Sequence, residues 1–190
     1  MKILVLGASG SLGSYVINEL LKDKDTQIIA HSRRALNFKH DRVKTHVGDA
    51  LNLADLKGVL SGIDAVYAGL AGNLEGLADV IIKAMSQTNV KRLVWISSYG
   101  IYGEANQVLP KSYISSAKAV ESSGLDYTII RPQWFSSVDE IDYEITHRHE
   151  PFKNPNAQIS RKSIAHLVAR CFYENFGVRD SLGINKKGSY

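Results

Sequence analysis

Two hydrophobic periods alternate along the chain. ILVLG (residues 3–7) is a continuous apolar run ending in glycine, the pattern of a strand buried on both faces of a parallel sheet. SLGSYVINELLKDKD follows, with Leu12, Tyr15, Val16, Glu19 and Leu20 at helical spacing. TQIIAHS, RVKTHVGD and DAVYAGLAG read as the second, third and fourth strands, with LADLKGVLSG helical between the last two. In NLEGLADVIIKAMSQTN, the residues Leu74, Leu77, Ala78, Ile81, Ile82 and Met85 form one apolar stripe, either core or subunit interface. KRLVWISS supplies a fifth strand, YISSAKAVESSG a helix closed by Gly124, and DYTIIRP a sixth strand stopped by Pro132. Strands alternating with helices specify an α/β chain: a doubly wound parallel sheet with right-handed crossovers and helices on both faces.

After Pro132 the pattern loosens. Short strands are expected near Tyr143 and Ile159, and SRKSIAHLVARCFYEN reads as a helix capped by Ser160 or Ser163, with Ile164, Leu167, Val168, Cys171 and Phe172 on one side. So short a tail does not make an independent domain. Residues 1–190 are expected to form a single domain in which residues 133–190 supply a small C-terminal lid region on the substrate side and a packing helix.

GASGSLG, between the first strand and its helix, places Gly7, Gly10 and Gly13 as GxxGxxG. Such a loop combines a special backbone angle, close approach to a pyrophosphate and tight packing of helix on strand, while the helix start offers free amides to an anion. Together with Ala8, Ser9, Ser11 and Leu12 it marks a dinucleotide site in a Rossmann-type sheet. At the end of the second strand, where NAD sites carry an acid for the ribose hydroxyls, stand Ser32, Arg33 and Arg34. A guanidinium pair suits an extra phosphate, so NADP(H) is favoured over NAD(H). Asp49, in GDALN, either bonds the adenine amino group or caps the helix beginning near Leu53, and Ala50 follows it. Ala68, Gly69 and Leu70, at the end of the fourth strand, complete the expected cofactor wall.

Composition narrows the picture further. One cysteine, Cys171, excludes an intramolecular disulfide and suits a reducing compartment. The apolar start is too short for a signal sequence, and no apolar run approaches the roughly 20 residues of a membrane span, so a cytoplasmic protein without a membrane partner is expected. Lys and Arg number 23 against 19 Asp and Glu, a mild and scattered excess. The cluster HSRRALNFKHDRVK reads as solvated or phosphate-facing surface; a small-molecule substrate is expected, no nucleic acid, and a monomer or homodimer.

ILVLGASGSLG, SRR, GDALN, VKRLVWISSYGIYG, SSGLDYTIIRP and ISRKSIAHLV together resemble the short-chain dehydrogenase/reductase superfamily, specifically its small atypical, NmrA-like or flavin-reductase-like NAD(P)-binding members. The resemblance covers nearly the whole chain. SSYGIYG is similar to the SSxxVYG segment of extended members, which implies that Ser98 hydrogen-bonds a substrate carbonyl; the alternative is a serine satisfying loop backbone. The resemblance also implies Tyr113 as proton donor and Lys118 as the cation that bonds the ribose and lowers the tyrosine pKa. Their spacing departs from the family's YxxxK. Tyr113 and Lys118 are five apart, a rotation of about 140° on a helix where four residues give about 40°, so a regular helix keeps them off one face. A helix starting after Tyr113, or an approach by Tyr102, would restore convergence.

RPQWF departs from the family's RPG or RPP, and Pro132 and Gln133 are expected at the carboxamide, with Trp134 either walling the substrate cavity or in the core. HRHE (residues 147–150) reads as a charged loop and Cys171 as core, leaving no metal site. The function implied is an NADPH-dependent oxidoreductase passing hydride to a small carbonyl, quinone or flavin-like acceptor. The alternative is a non-catalytic NADP-binding redox sensor of NmrA-like type. An epimerase or dehydratase of nucleotide sugars comes third, because the tail is short for a sugar-nucleotide domain.

Overall fold

The structure, a computed structural model, describes residues 1–103 and 109–188. Elements follow one another as β1 (Lys2–Leu6), α1 (Gly13–Leu20), β2 (Gln27–Ser32), β3 (Val43–Val47), α2 (Leu53–Val59), β4 (Ala65–Ala68), α3 (Leu74–Thr88) and β5 (Arg92–Ile96). Then come α4 (Lys111–Glu121), β6 (Asp126–Pro132), β7 (Phe135–Ser136), β8 (Glu144–Thr146), β9 (Ile159–Ser160), α5 (Arg161–Tyr173) and β10 (Asp180–Asn185). The central sheet runs β3-β2-β1-β4-β5-β6-β10-β8, parallel throughout except for β8, which pairs antiparallel with β10. The expected doubly wound α/β sheet is therefore present.

β1 shows why the strands read as unbroken apolar runs. Ile3 and Val5 join one core, with Val16, Ile17 and Leu20 of α1 and Ile164, Leu167 and Val168 of α5. Leu4 and Leu6 point the other way, into a second core with Leu56 of α2, Ile81 and Met85 of α3, and Val120 of α4. A pleated strand covered on both faces has no polar side, so the period-two signal disappears. The apolar stripe of α3 is likewise core, with Leu74, Leu77, Ala78, Ile81 and Met85 buried.

The helix starts follow local chemistry. Asn52 caps α2 by accepting from the Ala54 and Asp55 amides, Asn73 caps α3 through the Gly76 amide, and Ser160 caps α5 through the Ser163 amide. Each such cap contributes about 1 kcal/mol. Asp49 does not cap α2, since Asn52 holds that place.

Two open alternatives close and one strand is added. α4 begins at Lys111 behind Pro110, so Tyr113 lies inside a continuous helix and not on a free loop before it. Trp134 is 76% exposed, which removes it from the core. DSLGIN, unread as a strand in the sequence, is β10: it extends the main sheet beside β6 and buries Leu182 and Ile184. Elsewhere in the tail α5 packs on α1 within the first core. The half-buried Arg92 ties α5 to the sheet, donating to the Asp126 and Cys171 carbonyls and to Thr128 Oγ1. Cys171 is buried, and burial pushes its thiol up to about 12, which suits core packing and not nucleophilic chemistry.

Candidate functional site

β1 lies between β2 and β4, so the sheet reverses its winding direction there and leaves a crevice beyond the strand ends. A cavity of about 670 Å³ occupies that crevice, within the usual size range for a cofactor site. Its floor is the loop from β1 into α1, with Gly7, Ser9, Gly10, Ser11 and Leu12 on the wall. Gly7 has φ +84°, a region costly for any residue with a Cβ. At Gly13 a Cβ would stand 2.5 Å from the Ala8 carbonyl oxygen, so only glycine lets α1 start this close to the loop. Gly10 differs: a Cβ there would meet the Gly7 carbonyl oxygen at 3.1 Å and, at ordinary contact distance, the Gly69 carbonyl oxygen at 3.9 Å. Its cost falls on whatever enters the cavity.

The second wall is formed by His31, Ser32 and Arg33 at the end of β2, and by Asp49 and Ala50 after β3. Arg33 is exposed, and no carboxylate precedes it on β2, which leaves a cation at the mouth of the cavity. Asp49 Oδ1 accepts from the Leu51 amide at 3.0 Å, an Asx turn that holds its carboxylate against the wall. His31 is 2% exposed, and burial, followed by the neighbouring His46, holds its imidazole below the usual histidine pKa.

Beyond the loop the wall changes character. Gly69 and Leu70 follow β4, while Tyr67, Ile96, Ser97, Tyr113 and Phe135 close the far end. Two polar atoms in this group, Ser97 Oγ and Tyr67 Oη, are buried and have no hydrogen-bond partner among the described residues. Buried hydroxyls are ordinarily satisfied, so these two leave uncommitted donors behind one cavity wall. Burial raises the Tyr67 pKa, keeping its phenol neutral and able to donate.

Several residues marked in the sequence stand off the cavity wall. Ala8 is buried and its amide donates to the His31 carbonyl at 3.2 Å; Gly13 opens α1; Ala68 is buried in β4. Arg34 is exposed and its amide donates to Ser32 Oγ. Ser98 Oγ donates to the Tyr99 carbonyl at 3.3 Å, the loop role that was the alternative to substrate binding. Pro132 is buried at the end of β6, and Gln133 Nε2 donates to the Asn154 carbonyl at 2.6 Å. Trp134 is absent from the wall, where its neighbour Phe135 stands instead.

The helical phase of α4 separates the remaining pair. Tyr113 reaches the cavity, whereas Lys118 is exposed on another face of the same helix. The two do not converge, because α4 is regular from Lys111 to Glu121. Tyr102 offers no rescue: its hydroxyl bonds Glu121 and its ring lies tilted beside that of His149. HRHE is a charged turn in which the His147 amide donates to Glu150 Oε2 and His147 Nδ1 pairs with Asp180 Oδ2.

The residues missed in the sequence are His31, Tyr67, Ser97 and Phe135. A tyrosine in AVYA, an otherwise aliphatic buried strand, was the available signal for Tyr67. Nothing in SSYG separates Ser97 from Ser98, since the pleat alone decides which hydroxyl turns toward the cavity.

Comparison with known proteins agrees with this geometry. A Rossmann-fold NAD(P)-binding family protein from Shigella flexneri has 36% sequence identity and a TM-score of 0.88, over 98% of this chain and 94% of that one. A short-chain dehydrogenase/reductase from Veillonella parvula, solved in complex with NADP, has 25% identity and a TM-score of 0.86, over 99% of this chain and 95% of its own. A curated relative, the (4-alkanoyl-5-oxo-2,5-dihydrofuran-3-yl)methyl phosphate reductase of Streptomyces griseus, is 27% identical over 136 residues, 71% of this chain. The chain spans 42% and 48% of the length of two such curated relatives. No helix among the described residues is long and apolar enough to cross a membrane. The NAD(P)H-binding family matches residues 7–175, from the first glycine of the loop to just beyond α5, and the chain belongs to that family.

Proposed function

We propose that the protein is an NADPH-dependent oxidoreductase that passes hydride to a small carbonyl, quinone or flavin-like acceptor. The observation that carries this reading is one continuous cavity with a glycine loop and Arg33 at one end and two unpaired buried hydroxyls, Ser97 Oγ and Tyr67 Oη, at the other. The residues present fit a dinucleotide. Gly10 leaves the loop surface free of side chain, and Arg33 provides a cation where the second phosphate of NADP would need one.

In this reading the loop amides and the start of α1 hold the pyrophosphate, Arg33 the 2′-phosphate and Asp49 the adenine amino group. When bound, the nicotinamide supplies the hydride. Ser97 and Tyr67 orient the acceptor by donating to its oxygen as negative charge gathers there, a role for which preorganised, water-poor donors are suited. Leu77, Ile96 and Phe135 keep that end of the cavity apolar. Tyr113 is a further wall residue, and the exposed Lys118 takes no part. The Streptomyces reductase and the NADP complex of the Veillonella protein support the class of reaction and the choice of cofactor.

A second reading, an NADP-binding redox sensor without turnover, is favoured by one observation. Lys118 is exposed and out of phase with Tyr113, so the proton-donating pair of the resembling enzymes is not assembled. NADPH oxidation measured against quinones, flavins and aldehydes separates the two. Turnover with any acceptor class supports the reductase; tight NADPH binding with no turnover across the panel supports the sensor.

A further inference from the structure

His31 on β2 and His46 on β3 are register partners in a parallel pair, so their side chains leave the same face of the sheet. Their rings stack with centroids 5.3 Å apart and planes 24° from parallel. Asp55, in the first turn of α2, closes over both: His46 Nε2 lies 2.9 Å from Oδ1 and His31 Nε2 lies 3.8 Å from Oδ2. One ligand atom from each residue fits within a group no more than 4.8 Å across. The cluster is built into the β2 side of the cavity, whose wall includes His31 itself.

Three features distinguish this cluster from a chance meeting of surface side chains. His31 is almost wholly buried, and its Nε2 has no hydrogen-bond partner among the described residues although it faces a carboxylate. Gly48 makes the approach sterically open, since a Cβ there would collide with Asp55 Oδ2 and crowd His31 Nε2 at 3.0 Å. The Asp49 amide donates to Asp55 Oδ2 at 3.1 Å, fixing the carboxylate from outside as supporting bonds do at metal sites.

We infer that His31, His46 and Asp55 form a binding site for a divalent transition metal of the zinc type. Two imidazole nitrogens and one carboxylate are a complete three-residue ligand set for such an ion, with a fourth position left for water. Ligand atoms bound at about 2.1 Å to a tetrahedral ion stand roughly 3.4 Å apart; His46 Nε2, hydrogen-bonded to Asp55 Oδ1 at 2.9 Å, draws back to admit the ion, and His31 Nε2 approaches the same carboxylate at 3.8 Å from Oδ2. Small imidazole rotations complete the geometry. Spacing along the chain gave no sign of the site, because strand register brings the histidines together.

The site does not depend on the reductase reading, since metal binding is measured without nucleotide. Chelator-treated protein titrated calorimetrically with Zn²⁺ is expected to take up one ion per chain. His46→Gln and Asp55→Asn, which alter partly exposed side chains, each weaken that affinity at least about 10-fold. In unsubstituted protein, Zn²⁺ shifts the imidazole proton NMR signals of two of the six histidines, and Co²⁺ gives the visible absorption of a tetrahedral site. Absence of saturable Zn²⁺ binding, affinity unchanged in both folded variants, or no pair of shifted histidine signals would each overturn the proposal. The NMR result on unsubstituted protein decides the matter if either variant fails to fold.

Discussion

At one end of the cavity the wall is main chain, the turn from Gly7 to Leu12; at the other it is side chain, the hydroxyls of Ser97 and Tyr67 against Ile96, Leu77 and Phe135. A wall of main chain works by what it lacks, so an added methyl group does the damage. A wall of side chains works by what it presents, so removing a single oxygen does. The first arrangement suits an anion common to many ligands, and the second a particular acceptor.

Adding bulk at the glycine end gives the largest expected effect. Gly10→Val weakens dinucleotide binding by about 100-fold or more while far-UV circular dichroism stays that of the folded protein, because the branched side chain projects into pyrophosphate space. Gly13→Val, three residues on, acts instead on folding, since its Cβ would meet the Ala8 carbonyl oxygen at 2.5 Å. Its melting temperature falls first, by about 2 to 4 °C for each kcal/mol lost. If both variants fold and bind normally, the main-chain description of this end fails.

Removing oxygen at the far end comes next. Ser97→Ala is expected to lower turnover about 100-fold with little change in NADPH affinity, while Ser98→Ala stays within a few-fold, because its hydroxyl serves the Tyr99 carbonyl. The reverse order in steady-state kinetics would return the role to Ser98. Tyr113→Phe has a smaller effect still, a few-fold in turnover, because no cation shares its helical face. A loss of about 100-fold there, with cofactor affinity intact, would restore Tyr113 as the general acid.

The smallest effect concerns pH. His31 is held below its ordinary pKa of 6.5, mainly by burial, so the unfolded chain binds a proton there more readily than the folded one. Stability therefore rises with pH through the window below 6.5 and falls on acidification, with a slope under about 1.4 kcal/mol per pH unit. His147 works in the opposite sense: Asp180 raises its pKa, so its contribution is present below 6.5 and lost as pH rises through the raised value. With 56% of its side chain exposed, it contributes little. Urea unfolding across this range should show a shallower pH dependence in His31→Gln than in the unsubstituted protein, and identical slopes would remove His31 from the account.

The contrast between the two ends also explains what was legible in the sequence. Gly7, Gly10 and Gly13 are readable because main-chain geometry falls on residue type, and β1, β4 and β5 because burial on both faces leaves unbroken apolar runs. Residue type carries less where neighbours decide. β10 has only Leu182 and Ile184 as large apolar residues, and it is a strand because β6 presents an edge for it to pair with. Ser97 and Ser98 differ only in which way the chain turns after β5, and Trp134 lies in solvent despite its hydrophobicity. The misphasing of Tyr113 and Lys118, by contrast, was readable from helical geometry alone. α4 keeps it because the helix starts before the tyrosine.

Calorimetric titration with NADPH and NADH, repeated on Arg33→Ala and Arg34→Ala, tests the central claim most directly. The account predicts one site per chain, NADPH bound at least about 10-fold more tightly than NADH, and that preference lost in Arg33→Ala but largely kept in Arg34→Ala, whose side chain stands off the cavity wall. No binding of either nucleotide, equal affinities, or a preference untouched by Arg33→Ala would contradict it.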